Sequence, residues 1–304
     1  MRAAPGPESQ PAAENSLIRG NAWRISFHPG SLKDQEPLVV INEPANLVAV
    51  AEAATFSDIL DAPPEATNAK SAATTRKVEG EPVERPLLLL CLPPGSGLSP
   101  DVESRLETWL REGNAVPPVR AGLRTSRVVW SADRAVIYAG PEQMNEAMDA
   151  VLRFTVVARL TSQLEETMAA TWPSLAEHAP LTHAITARQQ RLQPVVNAMT
   201  LRASRMMAML LRLESCLEQL DPILQTASKR LFAELVQQGA IYERLEILED
   251  PVEYAGDVYE LANSRLLEDK YARQSHLAEK WIALLIAAEL LVLGMQTYGL
   301  FWTH

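Results

Sequence analysis

The chain closes on WIALLIAAELLVLGMQTYGLFW, Trp281 to Trp302, a run of 22 residues without Lys, Arg or Pro and with a Trp at each end. As a helix it measures about 33 Å, enough to cross the hydrocarbon core of a bilayer. Trp281, Tyr298 and Trp302 fall where interfacial aromatics sit. Its ten Leu, Ile, Val and Phe residues favour insertion by about 3–6 kcal/mol, from which a carboxylate near the middle removes roughly 3. Glu289 and Gln296, seven apart, share one helix face. A polar stripe at that depth faces protein or water, so these two residues and the flanking Trp281 and Trp302 are expected to form an interaction surface. The competing reading is a buried helix of a water-soluble core, which hydropathy alone does not separate from a span.

If the run spans, orientation follows. Arg265, Lys270, Arg273 and Lys280 precede it and no Lys or Arg follows, which places the bulk of the chain on the cytoplasmic side as a single-pass, tail-anchored protein. The implied partners are membrane lipid and either a protein partner or further copies of the chain.

A net charge of −10 over 304 residues argues against a direct nucleic-acid surface. Cys91 and Cys216 lie far apart with no ligand-like spacing, and so read as reduced, buried thiols. Residues 1–22 contain Pro5, Pro7 and Pro11 and lack an apolar core segment, so they read as a disordered lead-in rather than a secretory signal.

Residues 23–172 read as an α+β domain. Its strands are expected at 23–29, 38–42 and 87–92 (LLLLCL), with a helix over 45–60, a helix over 100–112 and a hairpin at 127–131 and 134–140. A long helix from Pro141 is expected to close at Trp172-Pro173. The stretch 61–86, rich in Pro, Ala, Thr and Glu, reads as a flexible insertion.

From residue 181 to 275 only helices are expected. Ala203, Met206, Leu210, Leu213, Leu217, Leu220, Leu224, Ala227 and Leu231 step by three and four, a coiled-coil-like seam that can pair within the chain or between copies. Asp221-Pro222 predicts a break within it, and Asp250-Pro251 a stop before a last helix from about Glu253. The fold class expected is therefore an α+β domain, a long helical neck and one C-terminal transmembrane helix over 281–302.

Motifs that carry chemistry are thin. PPGSGLSP (93–100) joins a buried strand to a helix, the context of a phosphate-cradling loop, but it lacks the Lys-Ser/Thr, three-glycine and GxSxG patterns. His178 and His183 are spaced wrongly for a shared metal face. Arg188, Arg191, Arg202, Arg205 and Arg212 form a basic stripe whose plainest role is pairing with nearby carboxylates, and whose alternative is facing phosphates or lipid headgroups. No catalytic residue, cofactor or metal is expected. The reading is a non-enzymatic membrane scaffold. A membrane-associated enzyme with a site near 93–100 and a soluble helical subunit of a larger assembly are the alternatives.

Three segments carry a family likeness: DRAVIYAGPEQMNEAMDAVLRF (133–154), ILEDPVEYAGDVYELA (247–262) and HLAEKWIALLIAAELLV (276–292), with Glu279, Trp281 and Glu289 in the last. They resemble the family named for being required for meiotic nuclear division. That resemblance implies an integral membrane protein with its soluble domain on the side where translation occurs, tethering or supporting the translation machinery. It implies no catalytic residue.

Overall fold

A computed structural model describes residues 21–29, 38–60, 85–95, 98–112, 117–183, 185–186, 189–219 and 225–302. Residues 1–20 of the lead-in expected over 1–22, most of the insertion over 61–86 and the break at Pro222 lie outside them, while Asn21 and Ala22 belong to a strand. The chain divides into two units, Met1–Glu165 with Met209–Ile247, and Glu166–Ala208 with Leu248–His304.

The first unit is built on a seven-stranded sheet: β1 (Asn21–Pro29), β2 (Val39–Ile41), β3 (Leu47–Ala54), β4 (Leu87–Leu92), β5 (Val119–Leu123), β6 (Ser126–Ser131) and β7 (Arg134–Tyr138). Their order is β2-β3-β1-β4-β7-β6-β5. Only β4 and β7 pair in parallel; the other neighbours are antiparallel. All six residues of β4 are buried, as a continuous apolar run requires when both faces of a central strand are covered. On one face α1 (Phe56–Leu60) and α2 (Pro100–Arg111) bring Ile59, Leu106, Trp109 and Leu110 against Leu88, Leu90, Leu92, Val129 and Val136. The Trp109 indole donates to the Ile59 carbonyl at 3.0 Å, so the buried ring keeps its polar edge satisfied. On the other face lies α3 (Pro141–His178), where Phe154 meets Trp130 edge-on at 4.8 Å and the Trp130 indole donates to the Thr155 hydroxyl at 2.9 Å.

Arg134 is the buried cation of this layer. It stacks over Trp109, donates to that residue's carbonyl and pairs with Glu112 at 3.3 Å. The unit is completed by the end of α4 (Gln193–Glu218), by α5 (Thr226–Gln238) and by the start of α6 (Ile241–Trp302). There Arg244 clasps Glu165 through two bonds of 2.7 and 2.6 Å.

The second unit is helical: the end of α3, two short 3-10 turns (Ala179–Thr182 and Gln189–Leu192), the start of α4, and α6 from Leu248. Its core holds Met168, Leu175, Leu181, Val196, Met206, Val252 and Tyr259. Burial along α6 fades after Leu266, where Asp269 accepts from Gln190 at 2.7 Å and from Arg273 at 3.0 Å.

Several expectations are corrected. Among the described residues no helix is long and apolar enough to cross a membrane, which overturns the transmembrane helix over 281–302. The apolar stretch follows Glu279 and Lys280 and carries Glu289 within it, a charge that costs roughly 3 kcal/mol at membrane depth. Nor is there a sheet domain followed by a separate helical region, because residues 209–247 belong with the sheet.

The segment expected as a helix over 45–60 is mostly β3, paired along its length with β1. The alanines that favour a helix there are outweighed by cross-strand pairing, a non-local gain. Strand β5 was not expected at all.

Pro173 and Pro251 do not end their helices. Each removes one bond, to the carbonyl four residues earlier. Those carbonyls belong to Ala169 and Ile247, both exposed, so water replaces the lost donor.

Candidate functional site

The most unusual surface lies on α6 beyond the helical core. Every residue from Gln274 to Met295 is exposed. The large apolar side chains among them include Leu277, Trp281, Leu285, Leu290, Leu291 and Met295, between 57% and 69% exposed. They surround the helix rather than forming one stripe, and Glu289 is the single charge between Trp281 and Met295. Eleven such side chains present on the order of 1,000 Å² of apolar surface, above the roughly 300–600 Å² of the largest patch on a typical monomer. A helix apolar on all sides is one that something else surrounds.

The expected site residues divide accordingly. Trp281 and Glu289 stand on this exposed stretch, and Gln296 and Trp302 continue the same helix. The seam residues Met206, Leu210, Leu213, Leu217 and Leu231 are at most 5% exposed. They are buried inside their own chain and are unavailable to a second copy in this conformation. Leu220 and Leu224 lie outside the described residues.

The loop at 93–100 turns at Pro94-Gly95, with Gly95 at φ 68°, a left-handed conformation that favours glycine. Ser96 and Gly97 lie outside the described residues. Beside this loop a cleft of about 600 Å³ opens between α2 and the sheet. Its polar lining includes Glu103 and Glu107 from α2, Arg120 from β5, Arg127 from β6 and Tyr138 from β7. Burial raises the Tyr138 pKa; Arg127 opposes that shift, and Glu103 and Glu107 reinforce it. The sequence reading missed these residues. Of these, Tyr138 and Arg127 stand in the hairpin that the sequence signals, whereas Arg120 joins their sheet face only through the register of β5 on β6.

His178 is buried against Tyr259, ring centroids 6.0 Å apart, as part of the helical core. Among the described residues no group of three or more His, Cys, Asp or Glu is placed to hold a metal ion. Cys91 is buried in β4, and burial pushes its thiol up to about 12. Arg191, Arg202, Arg205 and Arg212 are exposed, and none forms an ion pair with a described residue, contrary to the pairing expected for them. Arg188 lies outside the described residues.

Fold and surface together define a mixed α/β protein whose long last helix carries an exposed apolar segment up to Met295. No family model matches the chain, and no curated protein matches it in sequence. A solved structure described as that of the full-length CmaX protein is similar at 12% identity, over 86% of this chain and 82% of that one, with a TM-score of 0.31. A likeness at that level carries no argument about function.

Proposed function

We propose that the protein is a non-enzymatic scaffold, and that the exposed apolar end of α6 is the part that docks on a protein partner or on further copies of the chain. The observation that carries this reading is the belt of eleven exposed large apolar side chains between Leu277 and Met295. Leaving that much apolar surface in water is unfavourable by roughly 25 cal/mol per Å². A tethering role is also what the resemblance to the meiotic-nuclear-division family implies, through its mitochondrial members that tether or support the translation machinery.

The test compares the full chain with a version ending at Lys280, by light scattering after gel filtration and by crosslinking with mass spectrometry in native extracts. The full chain is expected to assemble or to capture a partner through Trp281–Met295, and the shortened chain to be monomeric with unchanged circular dichroism. A full chain that is monodisperse, monomeric and free of crosslinks from this stretch overturns the proposal.

A membrane-bound location with the bulk of the chain on the cytoplasmic side is a second reading. It is favoured by Arg265, Lys270, Arg273 and Lys280, which precede the apolar stretch. Complete release from membranes by alkaline carbonate would remove it.

A further inference from the structure

Strands β4 and β7 are parallel neighbours, yet their outgoing connections leave to opposite faces. The chain passes from β4 into α2 over the face carrying Leu90 and Val136, and from β7 into α3 over the face carrying Trp130. Such a switch leaves a crevice beyond the carboxyl ends of the two strands, the place where open α/β sheets bind ligands. The cleft of about 600 Å³ starts at that end, at Pro94, Gly95 and Tyr138, and extends beneath α2 over Arg127, Val129 and Arg120, within the roughly 300–1,000 Å³ range of small-molecule sites.

Strand register determines what lines it. Arg127 stands directly opposite Tyr138, and Arg120 opposite Val129. Residues 127 and 129 are two apart in β6, so Arg120, Arg127 and Tyr138 all point to the α2 face. Glu103 and Glu107, one turn apart on α2, line the same cleft. Gly122, across from Arg127 on β5, brings no side chain to that corner.

Two of the four charges neutralise each other, since Arg120 pairs with Glu107 at 3.0 Å. Glu103 and Arg127 form no ion pair with a described residue. Among the described residues, one carboxylate and one guanidinium without an ion pair therefore face the same space, beside the Tyr138 phenol, which is protonated at neutral pH. A plain anion would meet repulsion from Glu103, a plain cation from Arg127, and a neutral ligand would desolvate both without pairing either.

We propose that this cleft binds a small zwitterion of di- or tripeptide size, its carboxylate on Arg127 and the Tyr138 hydroxyl and its ammonium on Glu103. The cleft is larger than one free amino acid needs, which favours the short peptide. The site is independent of the scaffold proposal, because it uses no residue of the apolar end of α6.

Isothermal titration of the full chain at low ionic strength, with trialanine, N-acetyl-trialanine and trialanine amide, tests it. Trialanine is expected to bind saturably with one-to-one stoichiometry, and each capped form at least about tenfold more weakly. Arg127→Ala is expected to erase the difference between trialanine and its amide, and Glu103→Gln the difference between trialanine and its acetylated form. Both side chains are exposed, so the variants retain the fold, which their melting curves verify. Absence of saturable binding, equal binding of the capped forms, or discrimination unchanged in both variants overturns the proposal.

Discussion

Gly239 sits beneath the ring of Phe154: a methyl group added to it would come 2.8 Å from the ring's Cζ and 3.0 Å from the Leu235 carbonyl oxygen. Phe154 is itself fully buried and held edge-on against Trp130, so the ring has nowhere to retreat. At Gly239 the turn from α5 into α6 thus depends on a missing side chain, since its own φ is −82° and the left-handed position of the turn is Ala240 at φ 50°. Gly239→Ala is expected to destabilise the first unit by about 1–3 kcal/mol. Adding Phe154→Leu should recover part of the clash relative to Phe154→Leu alone. Thermal unfolding of the four proteins of that cycle measures it, and additive losses would contradict the contact.

Arg244 and Glu165 form a two-pronged pair, with Ser162 accepting a further bond at 2.8 Å. The side chains are 29% and 38% exposed, so solvent screens part of the attraction. Arg244→Lys keeps the charge but loses the planar fork, and is expected to cost about 1 kcal/mol, most of it removed at high salt. Urea midpoints for both proteins at two salt concentrations decide this.

Leu213 and Leu211 are near neighbours on α4 with opposite fates, 0% and 57% exposed. Leu213→Asp places an unpaired charge in the core and should cost several kcal/mol, whereas Leu211→Asp should stay within about 0.5 kcal/mol. Equal melting temperatures for the two variants would sink the assigned face of the helix.

The Cys91 thiol gives a pH-dependent prediction. Its pKa is raised by burial from 9.0 to about 12. In the unfolded chain the thiol ionises near pH 9, while the folded protein holds its proton until about pH 12. The unfolded state therefore gains between those values, and stability falls as pH rises through them, by up to roughly 1.4 kcal/mol per pH unit. Below pH 9 the contribution is fully present. Melting of the wild type and Cys91→Ala from pH 8 to 11 should converge as pH increases, since the alanine variant lacks this proton linkage. Parallel curves would exclude it. The same burial predicts negligible alkylation of Cys91 by iodoacetamide at neutral pH in the folded protein.

Of the proposed docking surface, the sequence disclosed nearly all. Trp281 and Glu289 were legible because an uninterrupted apolar run announces itself without any partner. Of the cleft it disclosed only the neighbouring loop, Pro94-Gly95. Arg120, Arg127 and Tyr138 come together through the register of β5, β6 and β7, and β5 (VRAGL) has too little alternation to be recognised alone.

By itself the sequence determined the elements whose signals are local: the buried strand LLLLCL, the helix that begins at Pro100, and the three-four spacing that buries Met206 through Leu217. Tertiary structure decided what depends on distant partners. Residues 47–54 became a strand because β1 and β2 offer backbone bonds on both sides. Helices α3 and α6 run through Pro173 and Pro251, where the carbonyls that lose their donor belong to the exposed residues Ala169 and Ile247. From Trp281 to Met295 the terminal apolar run is an exposed helix, with no described residue covering it. Periodicity reports which side chains belong on one face; only the folded chain settles what, if anything, covers that face.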